Sequence, residues 1–580
     1  MRATARYIAI AGLLLGLGPS NALAQSPSED GWNPFKWLEP APRRKSSEPP
    51  VDRANLDRMP PAGVRNRPVE SSDLAPVMAP DTSGLPLELW RGLEMADLER
   101  LLAGLDLPPR SPALHQVWRR MLLSSASPPP AGAPSSDHFM ALRLEALYRS
   151  GLLRDMAEVE RGASPGPLAR VVLARKDIGL GAREAGCATI KSVAGPGADL
   201  RGRLRVESQL LTGYCAAVAG DAAAAGLAAT LAREEGMADD LVLRVLESLS
   251  MGTKPHLGLP ARVPLLDFRF LELLGPVSQM QVVEKAEPAL LVALARAPTS
   301  DVRMRTAAAE AALRLNAMPP DAVVDVYRLQ PEPSARTTPS EAADPILRRA
   351  RLFRAAEVTQ APELKARLLR ALLDDARRAG IHVQTARMLA PLVGQLWPSF
   401  ETGMLAEPVL EIAAAAGEYE LARRWAETAA TLQHWLALVD LADPQPGRGR
   451  ASGLAYVEEL ARRGRLGVNA LHRLATVLDA LDVDVPMGIW EAAGRTPQPA
   501  SGYLPETGVL ADLAQSAQRK DTGRTVLVAM RALGPNGAEG ANILALGDAV
   551  LALKRTGLEP DARRLAFEAL FAVWPRTPGL

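Results

Sequence analysis

Residues 162–166, Gly-Ala-Ser-Pro-Gly, match the Gly-x-Ser-x-Gly pattern with which hydrolases present a nucleophile, here Ser164. In that chemistry the residue after the serine donates its backbone N–H to the oxyanion. Here that residue is Pro165, which has no N–H. The preceding residues also have the pattern of a helix rather than a strand. We therefore interpret Ser164 as a turn residue and predict that the chain has no catalytic residue and is not an enzyme.

The histidines and glycines provide little support for a metal or cofactor site. No HExxH or CxxC pattern occurs, and the two closest histidines, His115 and His138, are 23 residues apart. The segment GLGAREAG from Gly179 resembles a dinucleotide-binding loop only faintly, because its third glycine, Gly186, comes two residues late and no strand precedes it. We predict neither a metal nor a cofactor.

The two cysteines, Cys187 and Cys215, would be able to pair in an oxidising compartment. If two helices both adjoined the turn Gly195-Pro196-Gly197, the cysteines would be offset by about 15 Å, which is too far for a bond. If the second helix instead began near Val206, the offset would fall to about 5 Å. A disulfide and two buried thiols are both compatible with the sequence.

The composition predicts an all-α fold. The chain has 580 residues, of which 47% are apolar but only 4% aromatic, and it is rich in Ala and Leu. Those residues favour helices, whereas strands favour β-branched and aromatic residues. The 67 Lys and Arg nearly balance the 66 Asp and Glu, so we expect no nucleic-acid partner.

The first 24 residues have the three parts of a secretory signal peptide: Arg2 and Arg6, a short apolar run, and small residues before a cleavage site between Ala24 and Gln25. An uncleaved anchor or a buried first helix is the alternative interpretation. No other apolar segment is long enough to span a bilayer, so we expect a soluble periplasmic protein without stable membrane insertion.

Residues 25–86 are predicted to be a disordered, Pro-rich leader, with twelve prolines between Ser26 and Pro86. Within it, the segment WNPFKWLEP concentrates apolar side chains that are rare elsewhere. It is either a docking segment for a partner or for a groove of the protein itself, or a short turn without a function. Its apolar members are Trp32, Phe35, Trp37 and Leu38.

The rest of the chain is predicted to be helical, in blocks separated by Pro- and Gly-rich linkers. Ser111 is the predicted N-cap of a helix that begins at Pro112. The predicted blocks are an N-terminal helical pair at 87–123 and repeat blocks at 138–330, 345–493 and 508–580.

Three segments share a Gly followed by Ala five, nine and twelve positions later. In each segment, the Gly is expected to end one helix in a left-handed cap, while the alanines let the next helix pack closely. The Gly-to-Gly separations of 197 and 140 residues are close to multiples of about 34. The predicted packing residues are Gly220, Ala225, Ala229, Ala232, Gly417, Ala422, Ala426, Ala429, Gly557, Ala562, Ala566 and Ala569.

These segments, with GEYELARRWAETA at Gly417 as the best match, resemble the second helix of a tetratricopeptide repeat. Gly213 occupies the small-residue position of that family, whereas Leu410 and Val550 depart from it, and the usual Trp of the first helix is missing. The resemblance covers roughly a hundred residues and implies a right-handed α-solenoid of antiparallel helical hairpins. Other blocks match only loosely and are also compatible with helical pairs of another solenoid family.

Such a fold is typical of scaffolds, so the sequence predicts an exported, non-catalytic helical-repeat scaffold that binds a protein or peptide partner in the cell envelope. A second hypothesis is a regulator or accessory factor of a peptidoglycan enzyme, since soluble lytic transglycosylases also contain Ala-rich helical superhelices. Their catalytic Glu-Ser motif is absent here. An alanine-rich ice-binding protein is a third hypothesis, on composition alone.

Overall fold

A computed structural model describes residues 78, 81–129, 136–162, 164–193, 200, 203–238, 240–255, 257–277, 279–331, 344–445 and 452–576. All of them belong to one compact unit. The predicted signal peptide with its cleavage site at Ala24 and Gln25, and the predicted docking residues Trp32, Phe35, Trp37 and Leu38, lie outside the described residues.

The described part of the chain is all-α, with 28 α-helices, two short 3-10 helices at Gly403–Leu405 and Ala430–Leu432, and no strands beyond isolated bridges. No helix in this part is both long and apolar enough to cross a bilayer. The α-helices are α1 Met95–Ala103, α2 Pro112–Leu123, α3 Ser136–Arg149, α4 Met156–Gly162, α5 Pro167–Gly179, α6 Arg183–Val193, α7 Arg203–Val218, α8 Ala222–Glu234, α9 Leu241–Ser250, α10 Leu265–Leu274, α11 Gln279–Lys285, α12 Pro288–Arg296, α13 Val302–Arg314, α14 Pro320–Tyr327, α15 Pro345–Val358, α16 Pro362–Ala379, α17 His382–Val393, α18 Ala406–Ala416, α19 Tyr419–Ala426, α20 Trp435–Ala442, α21 Ser452–Arg462, α22 Val468–Ala480, α23 Met487–Gly494, α24 Val509–Gln518, α25 Thr522–Leu533, α26 Gly537–Gly540, α27 Ile543–Arg555 and α28 Glu559–Phe571.

The first helix begins later than the sequence pattern predicts, and the packed body begins earlier. Residues 87–92 form turns, because Gly92 adopts φ +76° and brings the chain against the Asp521 carboxylate, where a Cβ would lie 2.7 Å from it. Upstream of the predicted boundary at residue 87, Leu85 is completely buried, and Asp81 accepts a hydrogen bond from the Ser125 hydroxyl at 2.8 Å. The body therefore includes residues from Asp81 onwards.

The three repeat glycines each lie between two helices in the left-handed conformation. Their φ angles are +82° for Gly220, +85° for Gly417 and +86° for Gly557. The glycines connect α7 to α8, α18 to α19 and α27 to α28. A left-handed residue of this kind ends a helix without the steric penalty of a Cβ.

The alanines of the repeat pattern are almost all buried, with one exception. Ala225, Ala229, Ala232, Ala422, Ala426, Ala562, Ala566 and Ala569 are at most 1% exposed. Ala429 differs, because α19 ends at Ala426 and the Thr428 hydroxyl donates to the Trp425 carbonyl at 2.7 Å beyond the last turn. Ala429 consequently precedes a 3-10 helix and is only half-buried.

Helices that are neighbours in sequence are generally neighbours in space, but α2 also packs against α25 and α28 near the other end of the chain. Several polar contacts join α2 and its N-cap to α28. The Arg120 guanidinium donates to Asp561 at 2.6 Å, and the Ser111 hydroxyl donates to Glu568 at 2.5 Å. The N-terminal pair is therefore part of the same packed body as the last four helices.

Cys187 in α6 and Cys215 in α7 form a disulfide, with their Cα atoms 5.7 Å apart. Helix α7 begins at Arg203, ten residues after α6 ends. This late start corresponds to the smaller of the two predicted offsets between the cysteines along the paired helices, the one that permits a bond. This leaves no free cysteine in the chain.

Replacing both cysteines with serine should lower the free energy of unfolding by about 3–4 kcal/mol, because the bond closes a loop of 28 residues in the unfolded chain. Thermal unfolding followed by circular dichroism measures the change. A reductant should lower the melting temperature of the wild type and leave the double variant unaffected. A wild type insensitive to reductant would contradict the stabilising role.

Candidate functional site

A cavity of about 450 Å³ opens where distant parts of the chain meet; we call it the junction cavity. Its wall is formed by the segment before α2, the end of α13, the α16–α17 connection, α26 and α28. The volume lies in the range of ligand-binding sites. Polar side chains that line it include Arg110, Arg314, Arg377, His382, Gln384 and Glu539.

Asn316 connects the first three parts of this wall. It follows α13 in the left-handed conformation, φ +56°, which asparagine tolerates better than most residues. Its side-chain amide donates to the carbonyls of Pro109 at 2.9 Å and Arg110 at 2.8 Å. Its side-chain oxygen accepts from the Gln384 amide in α17 at 3.3 Å. These contacts position Arg110 beside the end of α13.

The opposite wall, at α26, is held by the buried guanidinium of Arg473. It donates to the carbonyls of Ala538 at 2.8 Å, Glu539 at 2.9 Å and Ala541 at 3.0 Å. Gly537, with φ +59°, approaches Ser111 so closely that a Cβ would lie 2.9 Å from the serine Cβ. This close approach allows the Arg110 guanidinium to donate to the Asn536 side-chain oxygen at 3.1 Å.

A buried carboxylate, Glu411, binds three cationic or polar side chains behind the cavity. It accepts hydrogen bonds from Arg377 and His382 at 2.7 Å and from Arg576 at 2.8 Å. Burial by itself would raise the pKa of Glu411, but the His382 hydrogen bond and the two guanidinium charges outweigh it and hold that pKa well below its usual range.

His382 is a neutral structural donor in this cluster. Burial lowers its pKa despite the neighbouring Glu411 carboxylate, so the imidazole is uncharged at neutral pH. The ring stacks on Phe571, with the centroids 4.8 Å apart, and its Nε2 lies 2.7 Å from the Glu411 carboxylate. Its orientation is therefore fixed from both sides.

Glu568 in α28 connects the cavity wall to the start of α2. Its carboxyl accepts from the Ser111 hydroxyl at 2.5 Å and from the backbone N–H of Ala113 at 2.6 Å. Burial raises the pKa of Glu568 to about 7, against the opposing charge of Arg387 and these hydrogen bonds. The group is therefore partly protonated at neutral pH.

Three exposed charged groups facing the cavity form no ion pair with the described residues, although Arg314 interacts electrostatically with Glu310. Arg110 binds only the neutral Asn536 side chain, while Arg314 and Glu539 form no side-chain hydrogen bond. No ion pair within 4 Å joins any of the three to the described residues. The enclosing protein raises the pKa of Glu539, and Arg473 opposes this effect only partly. The arrangement is suited to bind a ligand that carries compensating charges.

The structure does not bring the residues with candidate chemistry together. Ser164 is exposed ahead of α5, whose N-terminus is capped by the Asp137 carboxylate. His115 is half-buried, and the burial of its imidazole together with the charge of Arg119 lowers its pKa to about 4. His256 lies outside the described residues. Across the described ranges, no three His, Cys, Asp or Glu side chains are placed to hold a metal ion.

Three other histidines make structural contacts. His434 Nε2 lies 2.9 Å from the Pro575 carbonyl oxygen, and His472 Nε2 lies 3.0 Å from the Thr496 hydroxyl. His138 lies 2.8 Å from the Glu99 carboxylate. All of these contacts connect helices or their ends, which is a packing role.

Sequence reasoning missed the junction cavity. Arg110, Arg314 and Glu539 are separated by more than 200 residues each and belong to no local motif. Ser111 is the one residue of the cavity wall with a contact that the sequence predicted. It was predicted as the N-cap of α2, and its hydroxyl accepts a hydrogen bond from the Leu114 N–H at 3.3 Å.

No protein-family model matches the chain, and no curated protein or solved structure is significantly similar to it. The interpretation of the cavity consequently depends on its own geometry and charges.

Proposed function

We propose that the protein is an exported, non-catalytic helical-repeat scaffold that binds a protein or peptide partner of the cell envelope through the junction cavity. The observation that carries this proposal is the set of uncompensated charges, Arg110, Arg314 and Glu539, around one cavity of ligand size. All three side chains are exposed to solvent, and a ligand with compensating charges would form charge-assisted hydrogen bonds with them.

Export is supported by the disulfide between Cys187 and Cys215, a bond that persists mainly in oxidising compartments. The signal-peptide pattern of the first 24 residues points to the same location, the periplasm.

A tetratricopeptide-like solenoid is supported by the packing of consecutive helices and by the glycines between them. Gly213 in α7 is the best example, because a Cβ there would lie 2.8 Å from the Ala228 Cβ in α8. The small residue thus allows the close approach that this family has at the same position. Stacked helical pairs of this kind provide extended binding surfaces.

A non-catalytic role is supported by how the titratable groups near the cavity are used. His382 and Arg377 both bind Glu411, and Glu568 binds the N-terminal turn of α2. Each of these groups is occupied in a contact between helices. None is left as a positioned acid, base or nucleophile with a partner to activate it.

Site-specific photo-crosslinking tests the proposal. A diazirine amino acid is placed at Ala572, which is exposed on the cavity wall, in cells that export the full chain. The matched control is Leu544, 58% exposed on α27 and not part of the cavity lining. We expect a discrete protein adduct from position 572 and none from 544. Equal labelling at both positions, or no adduct at 572, would overturn the proposal.

A further inference from the structure

We propose that the junction cavity binds a short unblocked peptide, whose carboxylate pairs with Arg110 and Arg314 and whose ammonium pairs with Glu539. This inference rests on the proposed function, because it names the ligand chemistry of the same cavity.

Arg314 is the best-placed group for the carboxylate. It is the last residue of α13, it is exposed into the cavity, and the adjacent Asn316 ties the end of that helix to the segment before α2. A guanidinium presents a planar fork of donors that matches a carboxylate, and such charge-assisted bonds are stronger than neutral ones.

Arg110 comes from the other side of that connection. Its backbone carbonyl accepts from Asn316, and its guanidinium is oriented by the Asn536 side-chain oxygen. That bond occupies one donor and leaves the charge uncompensated. Both guanidiniums line the same cavity, and the hydrogen bond to Asn536 restrains Arg110, which reduces the entropic cost of binding a carboxylate there.

Glu539 supplies the opposite charge. The Arg473 guanidinium donates to the Glu539 backbone carbonyl at 2.9 Å, whereas the Glu539 carboxylate forms no hydrogen bond or ion pair with the described residues and interacts with Arg473 only at longer range. An ammonium group would compensate this charge in a partly enclosed site, where ion pairing is less screened than at an open surface.

The combination of both signs decides the ligand class. A phosphate or dicarboxylate would leave Glu539 without a counter-charge, and a simple amine would leave Arg110 and Arg314 without one. Because the cavity separates these groups beyond ion-pair distance, they do not neutralise one another directly. A zwitterion whose two ends bridge the gap satisfies all three groups.

Isothermal titration calorimetry on the full mature chain tests the inference, with L-alanyl-L-alanine, its N-acetylated form and its C-amidated form as probes. We expect each blocking group to weaken binding of the dipeptide at least about tenfold. Arg314→Gln should reduce the difference between the free and amidated dipeptides, and combining it with Arg110→Gln should abolish that difference. Glu539→Gln should abolish the difference between the free and acetylated dipeptides. Glu363→Gln, in an exposed pair on α16, is the control that should change nothing.

A parallel titration with D-alanyl-D-alanine distinguishes the two sources of such peptides. Tighter binding of the D-dipeptide would assign the ligand to peptidoglycan, and tighter binding of the L-dipeptide would assign it to protein chains. Either result supports a zwitterionic peptide as the ligand class.

Blocked dipeptides that bind as well as free ones, or no binding by any of them, would overturn the inference. If crosslinking at Ala572 still captured a protein, the proposed function would stand and the cavity would bind an internal segment of that partner. If both experiments failed, the junction cavity would not be the binding site.

Discussion

Replacing Glu411 with glutamine should lower the free energy of unfolding by about 3 kcal/mol, the lower end of the range for breaking a buried ion pair. The substitution removes the one negative charge shared by Arg377 and Arg576 and leaves His382 with a weaker acceptor. The effect is at the lower end because both guanidiniums retain some access to water. Urea unfolding at pH 7, followed by circular dichroism, measures it.

Because the Glu411 carboxylate must be ionised to bind the two guanidiniums, its contribution to the free energy of unfolding depends on pH. Because the folded pKa lies below the unfolded value of about 4.5, the contribution is complete above that pH and is lost as the pH falls below it. Glu363→Gln, in an exposed pair with Arg367, is the control and should cost less than about 1 kcal/mol. A Glu411→Gln variant as stable as the control would show that the buried cluster does not stabilise the fold.

The contribution of Glu568 to the free energy of unfolding should have a pH dependence opposite to that of Glu411, and replacing Glu568 with glutamine tests this. The folded pKa of about 7 lies above the ordinary value of 4.5, so the folded state holds the proton more tightly than the unfolded chain. Wild-type stability arising from this group therefore falls as the pH rises from about 4.5 to 7. The glutamine mimics the protonated carboxyl and removes this fall. Relative to wild type, the variant should gain up to about 3 kcal/mol between pH 5 and pH 8.

Urea unfolding at several pH values between 5 and 8 measures the difference in free energy of unfolding between the variant and the wild type. The titration of all other groups is common to both proteins and cancels in that difference. Glu506→Gln, in an exposed pair with Arg531, provides a control whose difference from wild type should be flat with pH. A flat difference for Glu568→Gln as well would show that the carboxyl is ionised in the folded protein throughout this range.

The features that could be predicted from the sequence are those determined by local chemistry. An alanine- and leucine-rich chain with few aromatic residues predicted helices, and the structure is all-α over its described residues. Ser111 before Pro112 predicted a helix start, because a side-chain oxygen there accepts from the first turn. Gly220, Gly417 and Gly557 were expected in left-handed caps and adopt positive φ.

Two local errors arose where other contacts override the spacing of apolar residues. The leucines and tryptophan from Leu87 have helical spacing, yet the contact of Gly92 with Asp521, far along the chain, keeps residues 87–92 in turns. Ala429 fits the repeat spacing, but α19 ends three residues before it, where the Thr428 hydroxyl bonds the Trp425 carbonyl. The spacing of alanines carries no information about that local hydrogen bond.

The junction cavity could not be predicted from the sequence, because the contacts that form it join residues that lie far apart along the chain. Arg110 reaches Asn536 across 426 residues, and Ser111 reaches Glu568 across 457. Neither member of these pairs has a neighbour in sequence that indicates its partner. Only the packing of α2 against α28 brings them together, and helix propensity carries no information about it.

The most direct test of the account combines charge reversal at Arg314 with photo-crosslinking from Ala572. We predict that Arg314→Glu abolishes the partner adduct at position 572, because it reverses a charge on the cavity wall. The free energy of unfolding should fall by about 1 kcal/mol or less, since a negative charge at the end of α13 opposes the helix dipole and repels Glu310. An undiminished adduct in a normally folded Arg314→Glu protein would contradict recognition by the charges of the junction cavity.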